Sequence, residues 1–60
     1  MSPLQFVTRQ RIARAQQLIR ETSRNLLEVG LEVGYTSPSH FAQVFRRVVG
    51  VTPTGFRGSL

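Results

Sequence analysis

Residues 25–50, NLLEVGLEVGYTSPSHFAQVFRRVVG, set the order of helices in this chain. Asn25 is a residue type that caps helix starts, and Glu28 stands at the third helical position, where it can complete a capping box. Leu26, Val29, Gly30 and Val33 then recur at helical spacing and form an apolar stripe. Gly34 follows the last of them, where a left-handed residue ends a helix, and Tyr35 can fold back against Val29. Ser37-Pro38-Ser39-His40 opens a new helix at once, with serine as cap and proline at the first helical position. Phe41, Val44, Phe45 and Val48 line one face of that helix as far as Gly50, again suited to a left-handed cap. The pattern predicts helices over 25–33 and 37–49, joined by a tight turn.

Working outward, Ser2-Pro3-Leu4-Gln5 has the same cap-then-proline form, and a helix is expected over 2–20. Leu4, Val7, Arg11, Ile12, Ala15, Leu18 and Ile19 fall on one broad side of it, with Arg9, Arg14, Gln16 and Arg20 outside its centre. Phe6 projects roughly opposite that stripe and needs some other cover. Thr22-Ser23-Arg24-Asn25 is a polar break. On the C-terminal side Thr52-Pro53 begins a short helix over 52–57, where Val51 and Phe56 can form a hydrophobic staple, and Arg57 to Leu60 are expected to fray. The fold class is all-α, with four helices: a tri-helical helix-turn-helix subdomain with a long N-terminal helix and a short C-terminal helix.

Composition bounds the function. Sixty residues make one small domain or part of one (1–60), and with no cysteine there is no disulfide or thiolate zinc site to support a small core. At 40% hydrophobic residues the chain is too apolar for a disordered tail, and no apolar run has the roughly 18 residues that crossing a bilayer requires. Met1-Ser2-Pro3-Leu4-Gln5 has none of the features of a secretory signal, so a cytoplasmic location is expected by default and no membrane partner. All eight basic residues are arginines, set against three glutamates, and the net charge of +5 points to polyanionic partners.

Two helices joined by a three- to four-residue glycine-containing turn match the DNA-binding helix-turn-helix, with a plain helical hairpin as the alternative. Gly30 reads as steric relief where the two helices come closest. The outward side of the 37–49 helix favours the first reading, because a helix that enters a groove must be packed on one side and able to hydrogen-bond on the other. Ser39 and His40 in its first turn and Gln43 one turn later are the candidate base-contacting residues in the major groove of double-stranded DNA. Gln43 suits bidentate pairing with adenine, and Ser39 can contact several bases. Arg46 and Arg47 are candidate phosphate contacts that set register, and Ser37 combines helix capping with a phosphate contact near exposed amide groups. His40 equally fits a phosphate contact or a plain surface position. Arg9, Arg14, Arg20 and Arg24 read as solvated charges or ion-pair partners of Glu21, Glu28 and Glu32. Arg11, among apolar neighbours, is expected to lay its stem along the core edge and reach a carboxylate or helix C-terminal carbonyls.

Three stretches of this sequence resemble the AraC/XylS-type transcription activators. Ser2-Pro3 through Leu18-Ile19, with Phe6, Arg11, Ile12, Ala15 and Leu18, resembles the family's long connecting helix. Leu26 through Gly34-Tyr35 resembles the first helix of its second helix-turn-helix, and Ser37-Pro38-Ser39-His40-Phe41 through Phe45-Arg46-Arg47, Gly50-Val51-Thr52-Pro53 and Phe56-Arg57 resembles its C-terminal signature. Together they cover nearly the whole chain. The resemblance implies that 2–20 is a connecting helix, that 25–49 is the second of two helix-turn-helix subdomains, and that 37–49 is the recognition helix. It further implies a first subdomain before Ser2 that packs on Phe6, with effector and dimerisation domains elsewhere in a parent regulator, leaving the 60-residue segment monomeric or weakly self-associating. Gly30 stands where alanine is common, at a cost on the order of 1 kcal/mol of helix propensity, and Gly55 loosens the last helix similarly.

Catalysis is not expected. One histidine and three glutamates do not make a usual metal cluster, no glycine-rich phosphate loop follows a strand, and Ser37 or Ser39 beside His40 has no orienting carboxylate nearby in sequence. No metal or cofactor is expected. The competing function is a protein-interaction module pairing through Phe6, Leu27 and Leu31, whose association would be insensitive to salt where DNA binding would not.

Overall fold

The computed structural model describes residues 2–60, so Met1 of the 1–60 span lies outside the described residues. Its helices are α1 (Pro3–Glu21), α2 (Leu26–Glu32), α3 (Pro38–Val49) and α4 (Pro53–Gly58). Each begins at a polar side chain that takes up an otherwise unpaired amide. Ser2 Oγ accepts from the Gln5 amide at 3.2 Å while the Gln5 side chain accepts from the Ser2 amide at 3.1 Å, a complete capping box. Asn25 Oδ1 accepts from the Glu28 amide at 2.8 Å, but Glu28 returns the contact to the Asn25 side-chain amide, at 2.8 Å, rather than to its backbone. Ser37 Oγ accepts from the His40 amide at 3.3 Å, and Thr52 Oγ1 from the Gly55 amide at 3.1 Å.

The turn between α2 and α3 is a Schellman motif. The Tyr35 amide donates to the Gly30 carbonyl at 2.9 Å and the Gly34 amide to the Leu31 carbonyl at 3.1 Å, with Gly34 at φ +105°. This carries Tyr35 back into the core and leaves only Thr36 before the cap of α3. The two helices meet most closely at Gly30, where a Cβ would stand 3.0 Å from Phe41 Cδ2. A second left-handed glycine, Gly50 at φ +99°, ends α3 and donates to the Arg46 carbonyl.

The core joins Ile12, Ala15, Leu18 and Ile19 of α1 to Val29, Val33 and Tyr35, and to Phe41, Val44 and Phe45 of α3. Through it runs a row of aromatic rings, Tyr35–Phe41–Phe45–Phe56, with successive centroids 5.6, 5.8 and 5.6 Å apart, the spacing at which tilted and edge-to-face pairs attract. Phe45 and Ile12 are fully buried.

Several expectations from the sequence need correction. Leu4 and Val7, placed in the apolar stripe of α1, are exposed, and all four buried residues of α1 lie from Ile12 onward. A 19-residue helix is about 28 Å long. The other three helices have seven, twelve and six residues, so the first half of α1 projects beyond what they cover. Val48 is likewise exposed, since it faces a groove against that projecting half, lined by Leu4, Gln5, Thr8 and Arg9, rather than the core. Phe56 directs its ring at Phe45 while Val51 stays exposed. The chain end is bonded rather than frayed: α4 reaches Gly58, Ser59 Oγ donates to the Phe56 carbonyl at 2.9 Å, and the Leu60 amide donates to the Arg57 carbonyl at 3.3 Å.

Candidate nucleic-acid interface

Helix α3 is covered on one side only. Phe41, Val44 and Phe45 point into the core, whereas Ser37, Ser39, His40, Gln43, Arg46 and Arg47 are all exposed. At about 100° per residue, Ser39, Gln43 and Arg46 fall within an arc of about 60° at the centre of the outer side, with His40 and Arg47 along one edge. The outer side therefore presents, from the start of the helix to its end, a serine hydroxyl, an imidazole, a carboxamide and two guanidinium groups. None of the three glutamates is on α3, so the charge of this side is wholly positive.

The candidates differ in how free they are. Ser37 Oγ already accepts from the His40 amide, which leaves its hydroxyl hydrogen as the group able to meet an anion. Gln43, Arg46 and Arg47 make no side-chain hydrogen bond or ion pair among the described residues, and keep their donors in solvent. His40 packs edge-to-face on Tyr35, with ring centroids 5.5 Å apart and planes at 76°. Arg47 borders the groove between the end of α3 and the start of α1, which brings Arg9 to the same concavity, a neighbour that sequence spacing could not indicate.

Elsewhere Arg9, Arg14, Arg20 and Arg24 are exposed, and one of them is ion-paired. Arg24 and Glu32 form the only ion pair among the described residues, at 3.7 Å between half-exposed side chains, an arrangement worth little. Arg14 donates to Gln17 Oε1 at 2.9 Å. Among the described residues Arg11 pairs with neither a carboxylate nor helix carbonyls. Its guanidinium lies 5.7 Å from the centre of the Tyr35 ring, held by cation–π attraction, because the Schellman turn swings that ring under it. Among the described residues no three histidine, cysteine, aspartate or glutamate side chains are grouped as a metal site would need, and no helix is long and apolar enough to cross a membrane.

Comparison with known proteins gives this arrangement its context. A family described as a helix-turn-helix domain matches residues 1–59. The chain is 37% identical over 60 residues to an uncharacterized HTH-type transcriptional regulator of Haemophilus influenzae, covering 100% of this chain and 20% of the relative. It is 37% identical over 51 residues to the HTH-type transcriptional regulator ArgR of Pseudomonas aeruginosa, covering 85% of this chain and 16% of that protein. Over 57 residues it is 40% identical to the probable transcriptional regulator LumQ of Photobacterium leiognathi, covering 95% and 23% respectively. The chain thus spans about a fifth of the length of these relatives. No solved structure matches it significantly. With the family match over nearly its whole length, the chain belongs to the AraC-type helix-turn-helix family of transcription regulators.

Proposed function

We propose that this chain binds DNA sequence-specifically as part of a bacterial transcription regulator, with α3 as the recognition helix lying in the major groove. The observation that carries this reading is the division of α3: its aromatic side is engaged in the core, and its serine, glutamine and arginine side is left to solvent, with no hydrogen-bond or ion-pair partner for Gln43, Arg46 or Arg47 among the described residues. Ser39, His40 and Gln43 contact base edges, Gln43 by paired hydrogen bonds to adenine. Ser37, Arg46 and Arg47 hold phosphates, Ser37 through the hydroxyl hydrogen that its capping bond leaves free. In this reading α1 is the connecting helix, residues 25–49 are a helix-turn-helix subdomain, and the parent regulator's other domains supply effector response.

The test is a titration with a selected duplex and with random duplexes at two salt concentrations. Neutralising about four phosphates gives a log–log slope near −3.6. Gln43→Ala relaxes base preference, and Arg46→Ala weakens binding to all sequences alike while reducing the slope by about 0.9. A slope near zero, or a Gln43→Ala variant with unaltered preference, overturns the assignment of this face. One observation favours a second reading: Phe6, Leu27 and Leu31 are each more than half exposed, as a protein-pairing surface would need. That reading predicts association that is indifferent to salt and to duplex.

A further inference from the structure

Tyr35 connects two residues that are far apart in sequence. On one side its ring meets His40, at 5.5 Å and 76°; on another it is covered by the Arg11 guanidinium of α1, 5.7 Å from its centre. The ring itself is fixed. It is almost fully buried, it packs against Phe41 at 5.6 Å, and its backbone amide is tied to the Gly30 carbonyl by the Schellman turn. His40 by contrast is an exposed residue in the first turn of α3 with no side-chain hydrogen bond among the described residues, so the edge-to-face contact with Tyr35 is what restricts its rotamer.

We infer that Tyr35, braced by Arg11, is a positioning residue for base reading: it holds the His40 imidazole in the orientation that meets the duplex, although neither Tyr35 nor Arg11 touches DNA. The inference rests on the assignment of His40 to the base-contacting face. Its physical basis is preorganisation. A side chain already confined to its bound rotamer loses less freedom on binding, and the saving applies only where the imidazole finds its partner, so it enters as discrimination between sequences rather than as general affinity. Arg11 contributes by closing the ring's remaining open side from α1, which couples the orientation of that helix to the reading end of α3.

The experiment uses the 60-residue chain and a duplex isolated by it from a random pool, with an unselected duplex as reference. His40→Ala is expected to lower the ratio of selected to unselected affinity about tenfold, within the range of one lost base contact. Tyr35→Leu is expected to lower the same ratio by a similar factor with little effect on the unselected duplex, and the double variant to be no worse than about twofold below either one alone. Tyr35→Phe keeps the ring and keeps the ratio. Since Tyr35→Leu also removes core contacts, two further readouts stand without it. In the unmodified chain, proton NMR must show cross-relaxation between the Tyr35 and His40 rings, and Arg11→Met, which keeps an apolar stem, must reduce the ratio severalfold at unchanged helicity. If His40→Ala leaves the ratio intact, the base contact fails and the inference with it. If His40→Ala lowers the ratio but Tyr35→Leu weakens both duplexes equally, or the two losses multiply, only the positioning role is overturned; absent ring cross-relaxation overturns it as well.

Discussion

Replacing Gly34 by alanine isolates the conformation on which the α2–α3 turn depends. Gly34 sits at φ +105°, beyond the left-handed well that non-glycine residues occasionally occupy near +57°. An L-residue held there costs roughly 1–2 kcal/mol. Steric crowding adds nothing, because the new Cβ would stand 3.5 Å from Arg11 Cζ and Nε, ordinary contact distances. Gly50 provides the control: its φ is +99° and a Cβ there meets nothing within 4 Å, so Gly50→Ala should cost the same roughly 1–2 kcal/mol although it lies at the other end of α3. The chain is short enough for chemical synthesis, and D-alanine at either position accepts positive φ while restricting the unfolded chain, for a gain of about 0.4–1 kcal/mol. In a domain of this size each kcal/mol moves the melting temperature by roughly 4–8 °C. Thermal and urea denaturation followed by far-UV circular dichroism should therefore place the L-alanine variants below the parent and the D-alanine variants above it. A neutral Gly34→Ala, or D-alanine as harmful as L-alanine, would refute the account of the turn.

Ser37→Ala should cost about 1 kcal/mol of stability through loss of the cap. Ser37→Asp restores the cap but sets a negative charge beside phosphate, so it should be as stable as the parent and bind DNA more weakly, which duplex titration beside melting curves would separate. Gly30→Ala regains about 1 kcal/mol of helix propensity but requires the Phe41 ring to give by a few tenths of an ångström; stability should stay within about 1 kcal/mol of the parent. Gly30→Leu overpacks the same contact and should lose about 1–3 kcal/mol in urea titration. Phe45→Ala empties a fully buried site at the centre of the aromatic row and costs about 3–5 kcal/mol. Against a total of roughly 3–9 kcal/mol for sixty residues, that variant should be largely unfolded at physiological temperature by circular dichroism.

The helix starts were readable because they are local chemistry: Ser2, Asn25, Ser37 and Thr52 each precede an apolar repeat, three of them with proline next in line, and all four cap a helix. The two left-handed glycines were readable for the same reason, as each follows the last apolar position of its helix. Which side of α3 is covered followed from the spacing of Phe41, Val44 and Phe45. What local pattern could not supply was how far cover extends. Leu4, Val7 and Val48 fit their stripes by period, but burial needs a close-packed surface opposite, and between the start of α1 and the end of α3 there is an open groove. Arg11 was misassigned because its partner lies 24 positions later in sequence and is an aromatic face rather than a carboxylate. Non-local pairing also hid Arg9 across the groove from Arg47, while Tyr35 beside His40, only five positions away, depends on the path of the turn between them.

The central claim, that the polar side of α3 enters the duplex, is tested most directly by following every backbone amide of the chain by NMR as a selected duplex is added. The largest shifts should fall along α3 at Ser39, His40, Gln43, Arg46 and Arg47, with Leu27 and Leu31 of α2 scarcely displaced. Shifts concentrated on Leu27, Leu31 and Phe6, with the outer side of α3 unmoved, would contradict it.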